Sequence, residues 1–123
     1  IMSKQEKMAA APAAYLKALV GQDLEGILAL YADDAVVEDP VGSEPHVGID
    51  AIRAFYAGVV EHKMEAELTG QTRISGDEVA FPVQVTNAAF GISMNIIDVF
   101  KFNDEGKVCL MRAFWGEANS NPL

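Results

Sequence analysis

Two aspartates and three tyrosines are the residues of this chain whose types and placement could do proton chemistry. Asp39 ends the apolar run Val36-Val37-Glu38-Asp39 and is followed by Pro40. Proline biases the residue before it toward extended backbone, so a short strand over 35–39 should carry the carboxylate to the mouth of whatever that strand lines. An Asp before Pro is most often a solvated turn residue, and Asp39 alone would suggest nothing. Asp98 changes the reading. In the alternating stretch Ile92 to Phe102, one face carries Ile92, Met94, Ile96, Asp98, Phe100 and Phe102, and the other carries Ser93, Asn95, Ile97, Val99 and Lys101. A one-residue shift that moved Asp98 outward would expose the five large apolar side chains beside it. A carboxyl group in apolar surroundings has its pKa raised by desolvation. The alternative is a salt bridge to an inward Lys or Arg, and no readable strand places a basic residue inward. Asp98 therefore reads as a neutral acid able to donate a hydrogen bond.

Tyr15, Tyr31 and Tyr56 each fall on the apolar side of a segment with helical spacing. Buried tyrosine hydroxyls need partners. Any one of the three could be packing, but three hydroxyls and a buried Asp in so small a chain are more economically a shared network. Such a network is a donor site for an oxyanion.

The elements that must position these groups come in two blocks, helices first and strands after. The stretch from Gln5 to Val20 has Met8, Ala11, Tyr15, Leu16 and Leu19 at helical spacing, with Gly21 as a stop. Pro12 should kink this helix or make it restart, because it removes the hydrogen bond to the Met8 carbonyl. Asp23 can cap a second helix with Leu24, Ile27, Leu28 and Tyr31 on one face. Ile52, Phe55, Tyr56 and Val59 repeat that spacing in a third helix over 50–61, with Ile49 standing where a polar cap would be expected. From Lys63 the period changes to two: Met64, Ala66 and Leu68 alternate with polar residues, as do Val79, Phe81, Val83 and Val85. Turn residues at 75–77 and 103–106 make hairpins of their flanks. Three helices covering one face of a curved, mainly antiparallel sheet is an α+β layout, with any pocket lying between the layers.

A chain of 123 residues, half of them apolar, should form a single domain over 1–123 that buries roughly two-thirds of its unfolded surface. The net charge of -9 argues against nucleic acid or an anionic membrane as partner, since both select basic patches. A single cysteine, Cys109, excludes an internal disulfide, and with no apolar run of signal or membrane-spanning kind the expectation is a cytoplasmic protein. His46 and His62 are too isolated to suggest a metal site.

The run Tyr31-Ala-Asp-Asp-Ala-Val-Val-Glu-Asp-Pro-Val-Gly-Ser-Glu-Pro45, the segment Ala51-Ile-Arg-Ala-Phe-Tyr56, the strand Ile97-Asp-Val-Phe-Lys-Phe102 and the ending Met111-Arg-Ala-Phe-Trp-Gly-Glu-Ala-Asn119 resemble the bacterial 3-ketosteroid isomerases, over nearly the whole chain. The resemblance implies a conical fold of the nuclear-transport-factor-2 type, a homodimer and no cofactor. It implies Asp39 as general base, Tyr15 and Asp98 as the oxyanion hole, and Tyr31 and Tyr56 as extensions of the tyrosine network. That family is itself the standard illustration of a carboxylic acid kept neutral at neutral pH, so a protonated Asp98 is implied by the resemblance as well as by strand parity. The implied reaction moves the double bond of a 3-oxo-delta-5-steroid into conjugation with its ketone, through a dienolate. Phe55, Phe81, Val83, Phe100, Met111, Ala113 and Trp115 would line an apolar slot for the flat substrate.

Folds of this type also host polyketide cyclases, epoxide hydrolases and non-catalytic binders, so fold alone does not decide function. A hydrolase would want a carboxylate paired with Arg around a water, and Arg53, Arg73 and Arg112 read as outward. A steroid- or lipid-binding module would keep the apolar slot without needing Asp39.

Overall fold

The structure is a computed structural model describing residues 1–123. Helix α1 (Lys4–Val20) opens on a reciprocal cap. The Glu6 amide donates to Ser3 Oγ at 3.1 Å and the Ser3 amide donates to Glu6 Oε1 at 3.0 Å, which satisfies two of the donors that a helix start leaves orphaned. The helix runs unbroken through Pro12, so the expected restart does not occur. Proline removes one hydrogen bond there, whereas the buried face of Met8, Ala11, Tyr15, Leu16 and Leu19 holds both halves against the rest of the core.

Helix α2 (Leu24–Leu28) is capped by Asp23, whose Oδ1 accepts from the Gly26 amide at 3.0 Å. It is shorter than its apolar spacing suggests. The Leu30 carbonyl accepts from the Val108 amide at 2.8 Å, and this pairing draws the chain into strand β1 (Tyr31–Glu38). Tyr31 therefore stands at the start of a strand and not on a helix. Strand β2 (His46–Val47) follows, then helix α3 (Ile49–Val59). The cap of α3 is Gly48 at φ 86°, a conformation other residues adopt only under strain, so Ile49 is already the first helical residue.

The remaining strands are β3 (Glu65–Leu68), β4 (Arg73–Ser75), β5 (Glu78–Asn87), β6 (Ile92–Phe102), β7 (Val108–Phe114) and β8 (Ser120–Pro122). They join one sheet in the order β2-β1-β7-β6-β5-β3, with β4 on β5 and β8 on β6. The β1–β7 pair is parallel and every other pair is antiparallel, so the open, curved sheet is mixed but mostly antiparallel. The three helices pack on this sheet, α1 against β3 and β5 and α3 against β1 and β2, and one continuous apolar core lies between the layers.

Simple alternation does not hold throughout β7. Val108 shares even numbering with the outward Leu110 and Phe114, yet it is fully buried. Lys101 pairs with Leu110 while Phe102 pairs with Val108, so Cys109 is an extra residue in β7 and the bulge turns Val108 inward. No helix is long and apolar enough to cross a membrane.

Candidate active site

A cavity of about 440 Å³ opens between α1, α3 and the inner face of β5 and β6, a size in the usual range for small-molecule sites. Its wall is apolar except at a few points, and Tyr15, Asp39, Tyr56 and Asp98 are among them.

Asp98 is the one charged-type residue in the buried set, 5 % exposed. Strand parity puts it there: β6 pairs it with Phe81 of β5 on one side and Ala113 of β7 on the other, and the small Ala113 leaves its carboxyl room. Burial pushes its pKa up to about 8, with a further push from the charge of Asp39. No hydrogen bond from the protein stabilises its anion. The carboxyl faces the cavity as an acid whose proton is available for donation.

The three tyrosines meet beside it. Tyr56 is the centre, with its hydroxyl 3.0 Å from that of Tyr15 and 2.6 Å from that of Tyr31. They come from three elements, α1, β1 and α3, and all are buried. Phe100 packs edge-on against Tyr15 at 5.2 Å and against Tyr31 at 6.5 Å, which fixes ring positions from behind. Burial raises all three tyrosine pKa values well above the ordinary phenol range. Each also feels the charge of Asp39, and Tyr15 and Tyr31 feel that of Asp98 as well. The hydroxyls are therefore neutral donors.

Asp39 follows β1, where the chain bends, and the Asp39–Pro40 peptide is cis. The loop beyond is tied down by the Val41 amide donating to the Ala113 carbonyl at 2.8 Å and by Ser43 Oγ donating to the Pro40 carbonyl at 2.6 Å. The half-buried carboxylate accepts from Trp115 Nε1 at 2.7 Å through Oδ1. Its pKa is raised by burial, an effect opposed by the Trp115 hydrogen bond and by nearby His46. One oxygen is thus held and the other is left toward the cavity.

The apolar slot is only partly as expected. Phe55, Val83 and Trp115 are on the cavity wall. Phe81, Phe100, Met111 and Ala113 are not: they are at most 1 % exposed and lie in the core. They are on the inner face, but there Phe100 packs under Tyr15 and Tyr31 and against Phe81 instead of facing the cavity. The wall is completed by Leu16, Leu19, Met64, Val85, Ile92, Met94 and Ile96. Of these, Ile92, Met94 and Ile96 were not among the expected slot residues, although they share Asp98's face of β6 and that parity is the signal that could have found them. The hydrogen bond from Trp115 to Asp39 joins positions 76 apart, and no local pattern signals it. His46 stacks on Phe55 at 4.4 Å outside the cavity wall, and His62, on the wall, meets Phe90 edge-on at 4.9 Å, so the two do not converge on a common point. All three arginines are away from the cavity wall. Arg53 pairs with Glu25, Arg73 donates to the Gln71 carbonyl, and Arg112 reaches Glu38 and covers the Phe114 ring.

The chain is 40 % identical over 108 residues to a steroid Delta-isomerase of Nocardioides simplex, an alignment covering 86 % of this chain and 87 % of that one. It is 30 % identical over 115 residues to the epoxide hydrolase LasB of Streptomyces lasalocidi, covering 87 % of this chain but only 40 % of that longer protein. Among solved structures, the epoxide hydrolase/cyclase-like enzyme SalBIII of pyran ring formation in the polyether salinomycin superposes with a TM-score of 0.87 at 27 % identity, over 99 % of this chain and 100 % of that one. A SnoaL-like domain profile matches residues 13–111, and with that match and its steroid Delta-isomerase relative the chain belongs to the SnoaL-like family, in its steroid-isomerase branch.

Proposed function

We propose that this protein is a steroid Delta-isomerase that shifts the double bond of a 3-oxo-delta-5-steroid into conjugation with the ketone, using Asp39 as the proton carrier and Tyr15 with neutral Asp98 as the oxyanion donors. The observation that carries this reading is Asp98: a buried carboxyl with no partner, held protonated up to about pH 8, on the wall of an apolar cavity it shares with a second, hydrogen-bonded carboxylate.

The carbon between the alkene and the ketone loses a proton to Asp39. The electron pair of that C–H bond moves toward the carbonyl, and the negative charge develops on the ketone oxygen as a dienolate. Tyr15 and Asp98 donate to that oxygen, each worth on the order of a hundred- to a thousandfold in rate where single donors of this kind have been removed. Tyr56 and Tyr31 support Tyr15 by handing the hydrogen bond along the chain of hydroxyls. Protonated Asp39 then returns the same proton two carbons further along, so that one base serves both transfers and no net proton is exchanged. Trp115 anchors Oδ1 while Asp39 moves between the two carbons. The residues supply the base and the oxyanion donors by themselves, and the reading includes no cofactor.

Incubating chelator-treated protein with a β,γ-unsaturated 3-ketosteroid should produce the absorbance of the conjugated enone. Tight steroid binding without that absorbance would overturn the isomerase reading in favour of a binding module. None of the three arginines lines the cavity, so the carboxylate–arginine pairing expected of a hydrolase is not found there.

The homodimer belongs to the same reading. The outer face of the sheet carries the paired Ile97 and Phe114, 46 % and 42 % exposed, with half-buried Val99 and Leu110 adjoining. A second copy covering this patch accounts for its exposure. Sedimentation at micromolar concentration should report a dimer, and a monomer would contradict it.

A further inference from the structure

The inner faces of β5 and β6 form a ladder along the cavity, read from pair to pair: Val83 with Ile96, Val85 with Met94, and Asn87 with Ile92. Asp98 opens this ladder opposite Phe81, and Asn87 closes it. Between them every inward side chain is aliphatic or Met. The two polar members thus stand at opposite ends of one apolar wall, separated by six residues of strand, or at most about 20 Å.

Asn87 carries a further peculiarity. Its Oδ1 is the one buried side-chain oxygen or nitrogen in the protein that has no hydrogen-bond partner. A buried acceptor left unpaired is unfavourable, and native proteins keep few of them. Leu at this position would serve packing without that cost, and the two neighbouring inward residues of β5 are both Val. Around Asn87 the cavity is completed by Phe90, which is 62 % exposed, and by His62, which meets it edge-on. This is the end remote from the tyrosines.

We infer that Asn87 is a specificity-determining residue that hydrogen-bonds an oxygen substituent on the end of the substrate farthest from the reacting ketone. The inference rests on the isomerase reading for the orientation of the substrate. A steroid whose ring-A ketone lies between Tyr15 and Asp98 extends its ring D along the Val83/Ile96 and Val85/Met94 pairs toward Asn87. The terminal torsion of an Asn side chain is broad and soft, so the carboxamide turns with little cost. It presents its carbonyl to a ring-D hydroxyl, which gives the orphaned Oδ1 a donor, or its NH₂ to a ring-D ketone, which pairs the other end of the carboxamide. A steroid lacking oxygen on ring D leaves the carboxamide unsatisfied.

The test compares 5-ene-3-ketosteroids bearing a ring-D hydroxyl, a ring-D ketone, or no ring-D oxygen, in the parent and in Asn87→Leu. The parent should favour at least one oxygenated steroid over the deoxy compound by about 2- to 10-fold in kcat/KM, the worth of one neutral hydrogen bond, and Asn87→Leu should bring that ratio close to one. Equilibrium binding of the matching conjugated 4-ene products should show the same ratio as a readout independent of turnover. An equal ratio in parent and variant, or a parent ratio of one, overturns the role of Asn87. A binding preference that Asn87→Leu removes, with no enone formed from any steroid, sinks the isomerase reading and upholds Asn87 as the reader of the distal oxygen. Should Asn87→Leu fail to fold, Asn87→Ser shortens the reach without adding bulk and gives the same comparison.

Discussion

Asp39 and Asp98 are the same residue type on one cavity, and their surroundings push them toward opposite jobs. Asp39 sits at the bend after β1, half-buried, with a Trp115 N–H on one oxygen and His46 nearby, so its anion has support. Asp98 sits in the middle of β6, between Phe81 and Ala113, with no donor and no positive charge, so its anion has none. The charge of Asp39 also raises the pKa of Asp98, which favours a neutral Asp98 beside an ionised Asp39 near neutral pH. In the proposed mechanism the strand end supplies the base and the strand middle the neutral acid.

The largest way to break this contrast is to remove the base. Asp39→Asn keeps shape and the acceptor for Trp115 but cannot take a proton, so turnover should fall by ~10²- to 10⁴-fold while steroid affinity is kept. Turnover near the parent rate would remove Asp39 from the mechanism. Next comes the donor. Asp98→Ala should lose on the order of a hundred- to a thousandfold, whereas Asp98→Asn retains an N–H donor and should lose less. If the two variants are equally impaired, donation is not what Asp98 contributes.

The same pair of variants carries a smaller effect on stability. The folded pKa of Asp98, about 8, lies above the ordinary 3.8, so the native state holds a proton that the unfolded chain releases. Its contribution is therefore fully present below about 3.8 and is lost as pH rises toward about 8, the reverse of a salt-bridged Asp. Denaturant midpoints of the parent should fall across that window more steeply than those of Asp98→Asn. Parallel profiles would mean that Asp98 ionises as readily folded as unfolded.

Much of this site was legible in the sequence because it depends on strand parity. Asp98 points inward for the same reason that Ile96 and Phe100 flank it two residues either side, and a period of two is a local property. The order of the tyrosine network was not legible, since Tyr15, Tyr31 and Tyr56 meet only when α1, β1 and α3 are packed. Tyr31 shows the limit most clearly: its spacing from Leu24, Ile27 and Leu28 is helical, but the hydrogen bond between Leu30 and Val108 takes the chain into a strand before Tyr31 is reached. Phe81, Phe100, Met111 and Ala113 show another limit. Parity says which face a side chain occupies but not whether that stretch of the face meets the cavity or the core. The bulge at Cys109 reverses parity for Val108 with no Gly or Pro to announce it.

The contrast between the two carboxyls rests on one protonation state. Infrared difference spectra of the free enzyme against Asp98→Asn, followed with pH, report it directly. The account predicts a protonated-carboxyl absorption belonging to Asp98 at neutral pH that converts to carboxylate with a midpoint of about 8. A carboxylate signal from Asp98 already present at about pH 6, well below that midpoint, would contradict the account and leave Tyr15 as the only strong donor in the cavity.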